Sequence, residues 1–467
     1  MEKLTIYQPG GGFPDPHLWV ESSSVLQIRH AVYEGLLRYD AKTGYVPVLA
    51  DNWVVSEDAR EWLFILRKGV HFHDGSWVTA SDAASSIRNA SRKDAAGAYG
   101  TSSLLYSYLG EAKIEVVDAI RVRIILPEPM ADLPDLLSNI MVIPEKYIGA
   151  DPVTIPGTGP FRLDRITDNS FRLLKNDHYW GNAAQVSELN FVKEENADLR
   201  VKALTEGSAD IVTDLNWQQT TEIDGQDEYL VIEKDPPVSI ILMLNCASAP
   251  FTDIRVRQAL NYGTDVDEII QKACKGAAVK LNGPFTPHHF GYDLHTKPYP
   301  YDTGKAWQLL AEAGYADGLE LTLYCPTMMP NESGLIAKNL KEQWARIGVK
   351  LNIVVQPDRE QYSLDVRAKK IHDLCIFDSA PLSTYRVLHE KLDSTVKGAW
   401  WEGYDSPELN DLLRQAAQTV DTQERENLYR EAIRLVREEA PWVFLYSPVK
   451  FIGTSWEVYE QFPELLS

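Results

Sequence analysis

The feature that most constrains this chain is the alternation of strand-like and helix-like runs in its second half. The apolar run Val238–Leu244 is typical of a strand buried on both faces. Further strands are predicted at Glu320–Cys325, Val349–Val355 and Asp373–Phe377, and helices at Asp302–Ala313, Gly334–Ile347 and 361–370. This order predicts a mostly parallel sheet covered by helices, which binds ligands at loops beyond the carboxyl ends of its strands.

The first half predicts β-rich mixed α/β structure, and its clearest local pattern is the stretch Leu66–Asp82. Apolar residues alternate up to Leu66, as in a half-buried strand, and the Asp74-Gly75 pair has the chemistry of a tight turn. Thr79 or Ser81 can then cap a helix that begins near Asp82.

Histidines and cysteines raise the question of a metal site. His71 and His73 have a spacing that could suit an ion, whereas the adjacent His288 and His289 would point to opposite faces of a strand. The four cysteines lie far apart with no CxxC motif: Cys246, Cys274, Cys325 and Cys375. We expect no metal and no cofactor.

Charge and length restrict the class of protein. The 467 residues are enough for two or more lobes, and 44% of them are apolar, as in ordinary soluble proteins. Lys and Arg number 46 against 67 Asp and Glu, a formal net charge of −21. An acidic surface of this kind repels nucleic acid and anionic membranes and favours solubility. We therefore expect no nucleic-acid partner.

Enzyme signatures are absent from the sequence. There is no G-x-S-x-G elbow, no H-E-x-x-H pair and no phosphate-binding P-loop. We expect no catalytic residues and a protein that is not an enzyme.

Candidate ligand contacts lie in loops after predicted strands. Gly11, Gly12 and Phe13 could bring backbone close to a ligand, Asp378 could pair with a cation, and Arg386 could hold a carboxylate. Ordinary turns, helix caps, surface ion pairs and core anchors are the competing interpretations. The predicted ligand-binding residues are Gly12, Phe13, Trp217, Asn245, Asp378, Ser379, Tyr385, Arg386, Trp400, Trp401 and Tyr404.

Several runs together resemble the family 5 extracellular solute-binding proteins, the peptide- and nickel-binding components of ABC importers. Each run is weak alone, but the ordered set is specific and covers about residues 30 to 450. The matching runs are 33–36, 47–50, Trp53, 66–75, 79–82, 157–161, Asn176, Tyr179-Trp180, Gly207, Ala209-Asp210, 253–260, 301–302, 305–306 and 309–315.

The resemblance implies a two-lobed α/β fold of the periplasmic-binding-protein type, a clam shell with an extra domain inserted in the N-terminal lobe. The implied mechanism is hinge closure on a solute, which is then delivered to a membrane permease. In this family the stretch around His71 and His73 recurs as scaffold, which favours a structural role for both. The predicted segments are 1–45, 157–240 and 443–467 for lobe I, 46–156 for the inserted subdomain, and 241–442 for a parallel α/β lobe II.

One loop departs from the family pattern. Peptide-binding members carry a Trp and an Asp-Pro pair after the strand equivalent to Asp373–Phe377, and that Asp receives the peptide ammonium group. The present loop, Phe377–Arg386, has neither, although Asp378 could substitute. We predict a monomer that binds a small polar organic solute, peptide-like, opine-like or another zwitterion. The alternatives are an intracellular sensor or chaperone on the same fold and, less favoured, a metal-chelate binder.

The location of the protein is predicted from the resemblance. No signal peptide and no apolar run long enough for a membrane span are visible in the sequence. Because the resembled proteins act outside the cytoplasm, we expect a periplasmic or extracytoplasmic protein whose leader has been removed from this sequence.

Overall fold

The computed structural model describes residues 2–20, 22–40, 43–95 and 104–463. Within these residues the chain forms two compact units, which lie in the ranges Met1–Lys234 with Lys450–Ser467 (unit 1) and Asp235–Val449 (unit 2). Both are mixed α/β, as the sequence predicts. Across the part of the chain that the structure covers, none of the helices is apolar over a length that would cross a bilayer.

The strands and helices follow one another in mixed order along the chain. The strands are β1 Lys3–Gln8, β2 Leu37–Asp40, β3 Gly44–Pro47, β4 Ala50–Val55, β5 Glu61–Leu66, β6 Lys113–Asp118, β7 Arg121–Ile125, β8 Phe161–Ile166, β9 Ser170–Lys175, β10 Glu188–Lys193, β11 Ile211–Leu215, β12 Tyr229–Lys234, β13 Ser239–Leu244, β14 Ala278–Lys280, β15 Leu319–Pro326, β16 Val349–Gln356, β17 Leu374–Ser379, β18 Trp442–Pro448 and β19 Lys450–Ser455. The α-helices are α1 Ser23–Val32, α2 Ala80–Ala90, α3 Leu104–Leu109, α4 Leu133–Leu137, α5 Ala197–Thr205, α6 Trp217–Ile223, α7 Ile254–Tyr262, α8 Val266–Cys274, α9 Thr303–Glu312, α10 Ser333–Ala345, α11 Arg359–Arg367, α12 Thr384–Lys391, α13 Pro407–Gln418, α14 Thr422–Glu439 and α15 Trp456–Gln461.

Unit 1 is organised around a sheet with the strand order β12-β19-β11-β1-β10-β9-β8. β1 runs parallel to both β10 and β11, and its alternate residues Leu4 and Ile6 are buried in the core. A further sheet, β4-β5-β7-β6, is covered by α2. Thr79 caps α2 in a reciprocal capping box with Asp82, which confirms the predicted helix start.

Unit 2 contains a sheet with the strand order β14-β18-β13-β17-β15-β16. β15 runs parallel to β16 and β17, but β13 is antiparallel to both β17 and β18. The predicted alternation of strands and helices is confirmed, whereas the expectation of a mostly parallel sheet is wrong. The reason is that every residue of β13 is buried, so its apolar run reports burial without reporting direction.

The unit boundaries differ from the predicted segments at both passages of the chain. The chain passes between units after Lys234 and again after Val449, whereas the sequence placed these passages after residues 240 and 442. Trp442–Pro448 pairs with β13 and β14 as β18, so this strand belongs to the sheet of unit 2.

Candidate ligand-binding site

The predicted ligand loops of unit 1 lie at one edge of its sheet. Because β1 and β11 are parallel, with Ile6 opposite Ile211, the loops that follow them leave at the same edge. Gly12 and Phe13 follow β1, and Trp217 follows β11 as the first residue of α6. β12 ends and β19 begins at this edge as well, so the chain leaves unit 1 and returns to it at the same edge.

The first loop packs closely on unit 1. A Cβ atom added at Gly11 would lie 2.7 Å from the ring of Phe171, so only glycine fits there without a shift. Phe13 is half-buried against the core, and its ring centroid is 5.7 Å from that of Tyr33. The side-chain oxygen of the buried Gln8, at the end of β1, has no hydrogen-bond partner among the described residues. The edge thus combines packed apolar groups with an unused polar acceptor.

In unit 2, predicted residues cluster at the carboxyl end of β17. The carboxylate of Asp378 lies 2.9 Å from Nη2 of Arg359, and the two side chains are only 15% and 9% exposed. Ser379 Oγ accepts a hydrogen bond of 2.9 Å from Nζ of Lys391, which is itself buried. Burial raises the pKa of the Asp378 carboxyl, and the charges of Arg359 and Lys391 oppose that rise.

Sequence reasoning missed both cations of this cluster. Arg359 is the first residue of α11 and Lys391 the last residue of α12. A single aspartate directly after the apolar residues 374–377 of this strand does signal that a buried cation should lie nearby. The pattern does not reveal which Lys or Arg supplies it.

The two predicted residues on α12 are engaged within that helix. Arg386 Nε donates to Oε1 of Glu390 at 2.8 Å, and both side chains are less than 10% exposed. The ring of Tyr385 stacks on that of His389, with centroids 5.0 Å apart. The structure therefore directs the Arg386 guanidinium to an internal carboxylate.

Asn245 and the loop with Trp401 and Tyr404 are placed away from Asp378. Because β13 and β17 are antiparallel, Asn245 follows β13 at the opposite edge of the sheet, where its side chain donates to the carbonyl of His372. The loop that contains Trp401 and Tyr404 joins this edge through the bond from Cys246 N to Glu402 O.

The aromatic residues of this loop have internal partners. Trp401 Nε1 donates to the carbonyl of Tyr404 at 2.7 Å, and the Tyr404 hydroxyl donates to Glu439. Trp400 contacts Phe377, the neighbour of Asp378, with ring centroids 5.0 Å apart. Of the aromatic candidates, Trp400 thus has a direct packing link to the end of β17.

The family-like motifs of unit 1 meet in a buried hub around Glu34. Glu34 accepts hydrogen bonds from Tyr179 Oη at 2.7 Å and Trp180 Nε1 at 2.8 Å. His73 Nε2 bonds to the carbonyl of Gly159 at 3.0 Å, and its Nδ1 accepts from Gly157 N at 3.3 Å. Both ring nitrogens of His73 are thus engaged with backbone in the tautomer protonated at Nε2.

The other histidine of the stretch contacts a tryptophan with its ring tilted by 39°. The ring centroids of His71 and Trp77 are 3.8 Å apart. Among the residues that the structure describes, no three His, Cys, Asp or Glu side chains are grouped so that they could hold a metal ion.

The whole architecture defines a periplasmic solute-binding protein fold. It superposes on the periplasmic binding protein DppA from Helicobacter pylori, whose structure is a complex with the peptide STSA, with a TM-score of 0.78 and 25% identity over 97% of this chain and 94% of that one. The family model for bacterial extracellular solute-binding proteins, family 5, matches residues 44–398, and the chain belongs to this family.

Curated relatives agree with this assignment. The chain is 26% identical to the glutathione-binding protein GsiB of Pectobacterium atrosepticum, over 90% of this chain and 83% of that protein. It is 27% identical to heme-binding protein A of Haemophilus influenzae, over 94% of this chain and 86% of that protein. Family 5 proteins are periplasmic solute-binding components of ABC importers and are not enzymes.

Proposed function

We propose that this chain is a periplasmic binding protein that captures a small polar organic solute between its two units and delivers it to an ABC permease. The solute class is peptide-like, opine-like or another zwitterion, and the protein works as a monomer without a nucleic-acid partner. Similarity to a glutathione-binding protein and to a peptide complex supports the peptide-like class.

The observation that carries the proposal concerns the sheet edges. In unit 1, the loops with Phe13 and Trp217 share an edge with the ends of the passages at Lys234 and Lys450. In unit 2, Asp378 lies at the edge where β13 begins and β18 ends, next to the same passages. Paired passages of this kind can act as a hinge, and loops beside a hinge are positioned to close on a ligand.

The proposal is tested by ligand-induced stabilisation and by closure. In a thermal-unfolding screen over peptides, opines, amino-acid conjugates, sugars and metal chelates, a true ligand at 100 times its dissociation constant stabilises the protein by about 2.7 kcal/mol. Small-angle X-ray scattering of the same samples should show a smaller radius of gyration with ligand. Binding without compaction rejects hinge closure, and the absence of any stabilising solute rejects the binding function.

A pair of tryptophan variants locates the site. Trp217→Ala should weaken binding about tenfold if the edge of unit 1 contacts the solute, since a large aromatic contact is lost. Trp307→Ala removes an exposed tryptophan from α9 and serves as the matched control with unchanged affinity. Equal affinities of the two variants would remove Trp217 from the site.

A further inference from the structure

β16 is the last strand on one side of the sheet of unit 2, and its outer side is open. It pairs with β15 in a parallel register that runs without interruption from Leu319 opposite Val349 to Pro326 opposite Gln356. Within the described part of the chain, no backbone group outside β15 is hydrogen-bonded to β16. Alternate residues of such a strand direct their N–H and C=O groups away from the sheet. We call this row of outward-directed groups the free side of β16.

The features that usually protect an outermost strand are scarce in β16. Natural strands in this position are commonly short, interrupted by a bulge, or rich in proline and charge. β14, the last strand on the opposite side of the same sheet, has three residues, whereas β16 has eight. β16 contains no proline, and its single charged residue, Lys350, is paired with Glu320 at 3.0 Å. The free side of β16 is therefore long and regular.

Apolar side chains are exposed in the carboxyl-terminal half of β16, and a cavity lies beside them. Val354 is 43% exposed and Val355 is 56% exposed. The cavity has a volume of about 100 Å³ and is lined by the aliphatic side chains of Val354, Val355 and Ile371 and by the ion pair of Asp365 and Lys370. An apolar cavity of about 150 Å³ holds benzene, so this smaller one suits a branched aliphatic side chain better than an aromatic ring.

The occupant that fits these features is an extended peptide segment. The free side of a strand can pair with an extended backbone of any sequence, and a neighbouring pocket for one side chain adds selectivity. A second copy of this chain fits less well, because each copy carries a formal net charge of −21. A strand of eight residues is also only about 26 Å long, and pairing along it covers far less than the roughly 800 Å² per partner of a stable protein interface.

We propose that the free side of β16 binds an extended internal segment of a partner protein, which adds a strand to the sheet and places one aliphatic side chain in the adjacent cavity. The charged groups that line the cavity, Asp365 and Lys370, are paired with each other at 3.1 Å. A chain terminus would have to displace one of them, so an internal segment is favoured. This surface lies within unit 2 and does not depend on the proposed solute-binding function.

The test uses peptides of eight residues that alternate threonine and valine, with both ends capped and a fluorescent label attached. Fluorescence polarisation with the full chain should show saturable binding. N-methylation of all valine amides or of all threonine amides removes donors from opposite sides of the extended peptide. One methylated peptide should therefore lose affinity by about tenfold or more while the other retains it. Replacement of valine by phenylalanine should weaken binding, because the ring exceeds the cavity.

Variants of the protein assign the binding to β16. Val354→Trp fills the cavity, and Val355→Lys adds the kind of charge with which natural strands avoid pairing. Each should lower the affinity by about tenfold or more. Val279→Trp is the matched control with unchanged affinity, because Val279 is 47% exposed in β14, on the opposite side of the sheet. Circular dichroism and melting curves establish that each variant is folded, and the exposed position of Val355 makes its substitution the safer of the two.

The outcomes that overturn the proposal are distinct. One is the absence of saturable binding, and another is equal affinity of the two methylated peptides. Unchanged affinity in the folded Val355→Lys variant rejects β16 as the site, and a loss in Trp217→Ala would assign the peptide to the solute site. Sedimentation velocity that shows a dimer of the peptide-free protein, abolished by Val355→Lys, would make a second copy the occupant. Solute binding is tested separately by the thermal-unfolding screen.

Discussion

The buried carboxylates of Glu34 in unit 1 and Asp378 in unit 2 are stabilised in different ways. Glu34 is held by the neutral donors Tyr179 and Trp180, whereas Asp378 is paired with a guanidinium and lies near a second cation. Burial raises the pKa of both carboxyls. The donors around Glu34 are thus all used within the protein, whereas the Nε–H group of Arg359 beside Asp378 has no hydrogen-bond partner among the described residues.

The hub of unit 1 should be the more sensitive to steric change. A Cβ atom at Gly157 would lie 1.9 Å from the carbonyl oxygen of Val32, a backbone atom that cannot move independently. Gly157→Ala is expected to lower the free energy of unfolding by about 4 kcal/mol or more. Urea denaturation measures the change, and a loss below about 1 kcal/mol would contradict this view of the hub.

The matched control for this substitution lies in unit 2. Gly334 is exposed in α10, and an added Cβ atom would meet no other group within 4 Å. Gly334→Ala should therefore raise stability by about 0.5 kcal/mol, because alanine favours the helix.

Acid should destabilise both units through buried neutral histidines. Burial lowers the pKa of His17 in unit 1 and of His289 in unit 2 to about 4. Nδ1 of His17 accepts a hydrogen bond from Asn89, and Nδ1 of His289 accepts one from the backbone N–H of Thr286. Protonation of Nδ1 would place a second donor opposite the first and break the hydrogen bond. With folded-state pKa values below the unfolded value, stability is present above pH 6.5 and is lost as the pH falls towards 4.

The expected size follows from the pKa difference. At pH 5 each histidine should have cost about 2 kcal/mol relative to pH 7, by 1.36 kcal/mol per pKa unit. Urea midpoints between pH 7 and pH 5 measure the loss, and His289→Gln should remove the share of about 2 kcal/mol that His289 contributes. The raised pKa values of Glu34 and Asp378 act in the opposite direction, since their contribution is greatest at low pH and declines as the pH rises.

Isosteric changes of the two carboxylates compare them directly. Glu34→Gln places an amide donor against Tyr179 or Trp180 and should lower stability by about 2 kcal/mol. Affinity for the solute should stay unchanged in Glu34→Gln, whereas Asp378→Asn should change that affinity with a smaller loss of stability. Calorimetric binding and urea unfolding of both variants provide the comparison. A change of affinity in Glu34→Gln would show that the hub also contributes to recognition.

The smallest expected effect concerns the edge of unit 2 opposite to Asp378. Trp401→Phe removes the bond from Nε1 to the Tyr404 carbonyl and should cost about 1 kcal/mol. Because this loop joins the Asn245 edge, affinity for the solute should change by less than twofold. A tenfold loss of affinity would return Trp401 to the ligand site.

The sequence predicts local structure here better than pairing between distant residues. The Thr79 cap and the strand that ends at Leu66 were predictable because turn, cap and alternation are encoded within a few neighbouring residues. The family resemblance also identified the fold, because many weak motifs occur in a fixed order.

The candidate site shows where this reasoning ends. Asp378 and Ser379 were predicted as ligand contacts because they follow a predicted buried strand, and Asn245 was chosen on the same ground. Strand direction separates them to opposite edges, and burial patterns do not encode direction. The partnership with Arg359 joins residues 19 apart in sequence across a helix, a strand and the loop between them, so composition alone could not identify it.

The position of β19 has a consequence for biosynthesis. β19 lies between β12 and β11, inside the sheet of unit 1, yet it is synthesised only after the whole of unit 2. Unit 2 is one uninterrupted stretch, Asp235–Val449, and can be complete before β19 is made. Synthesis of unit 1 starts before that of unit 2 and is completed after it. A chain that stops before Lys450 therefore lacks an interior strand of unit 1.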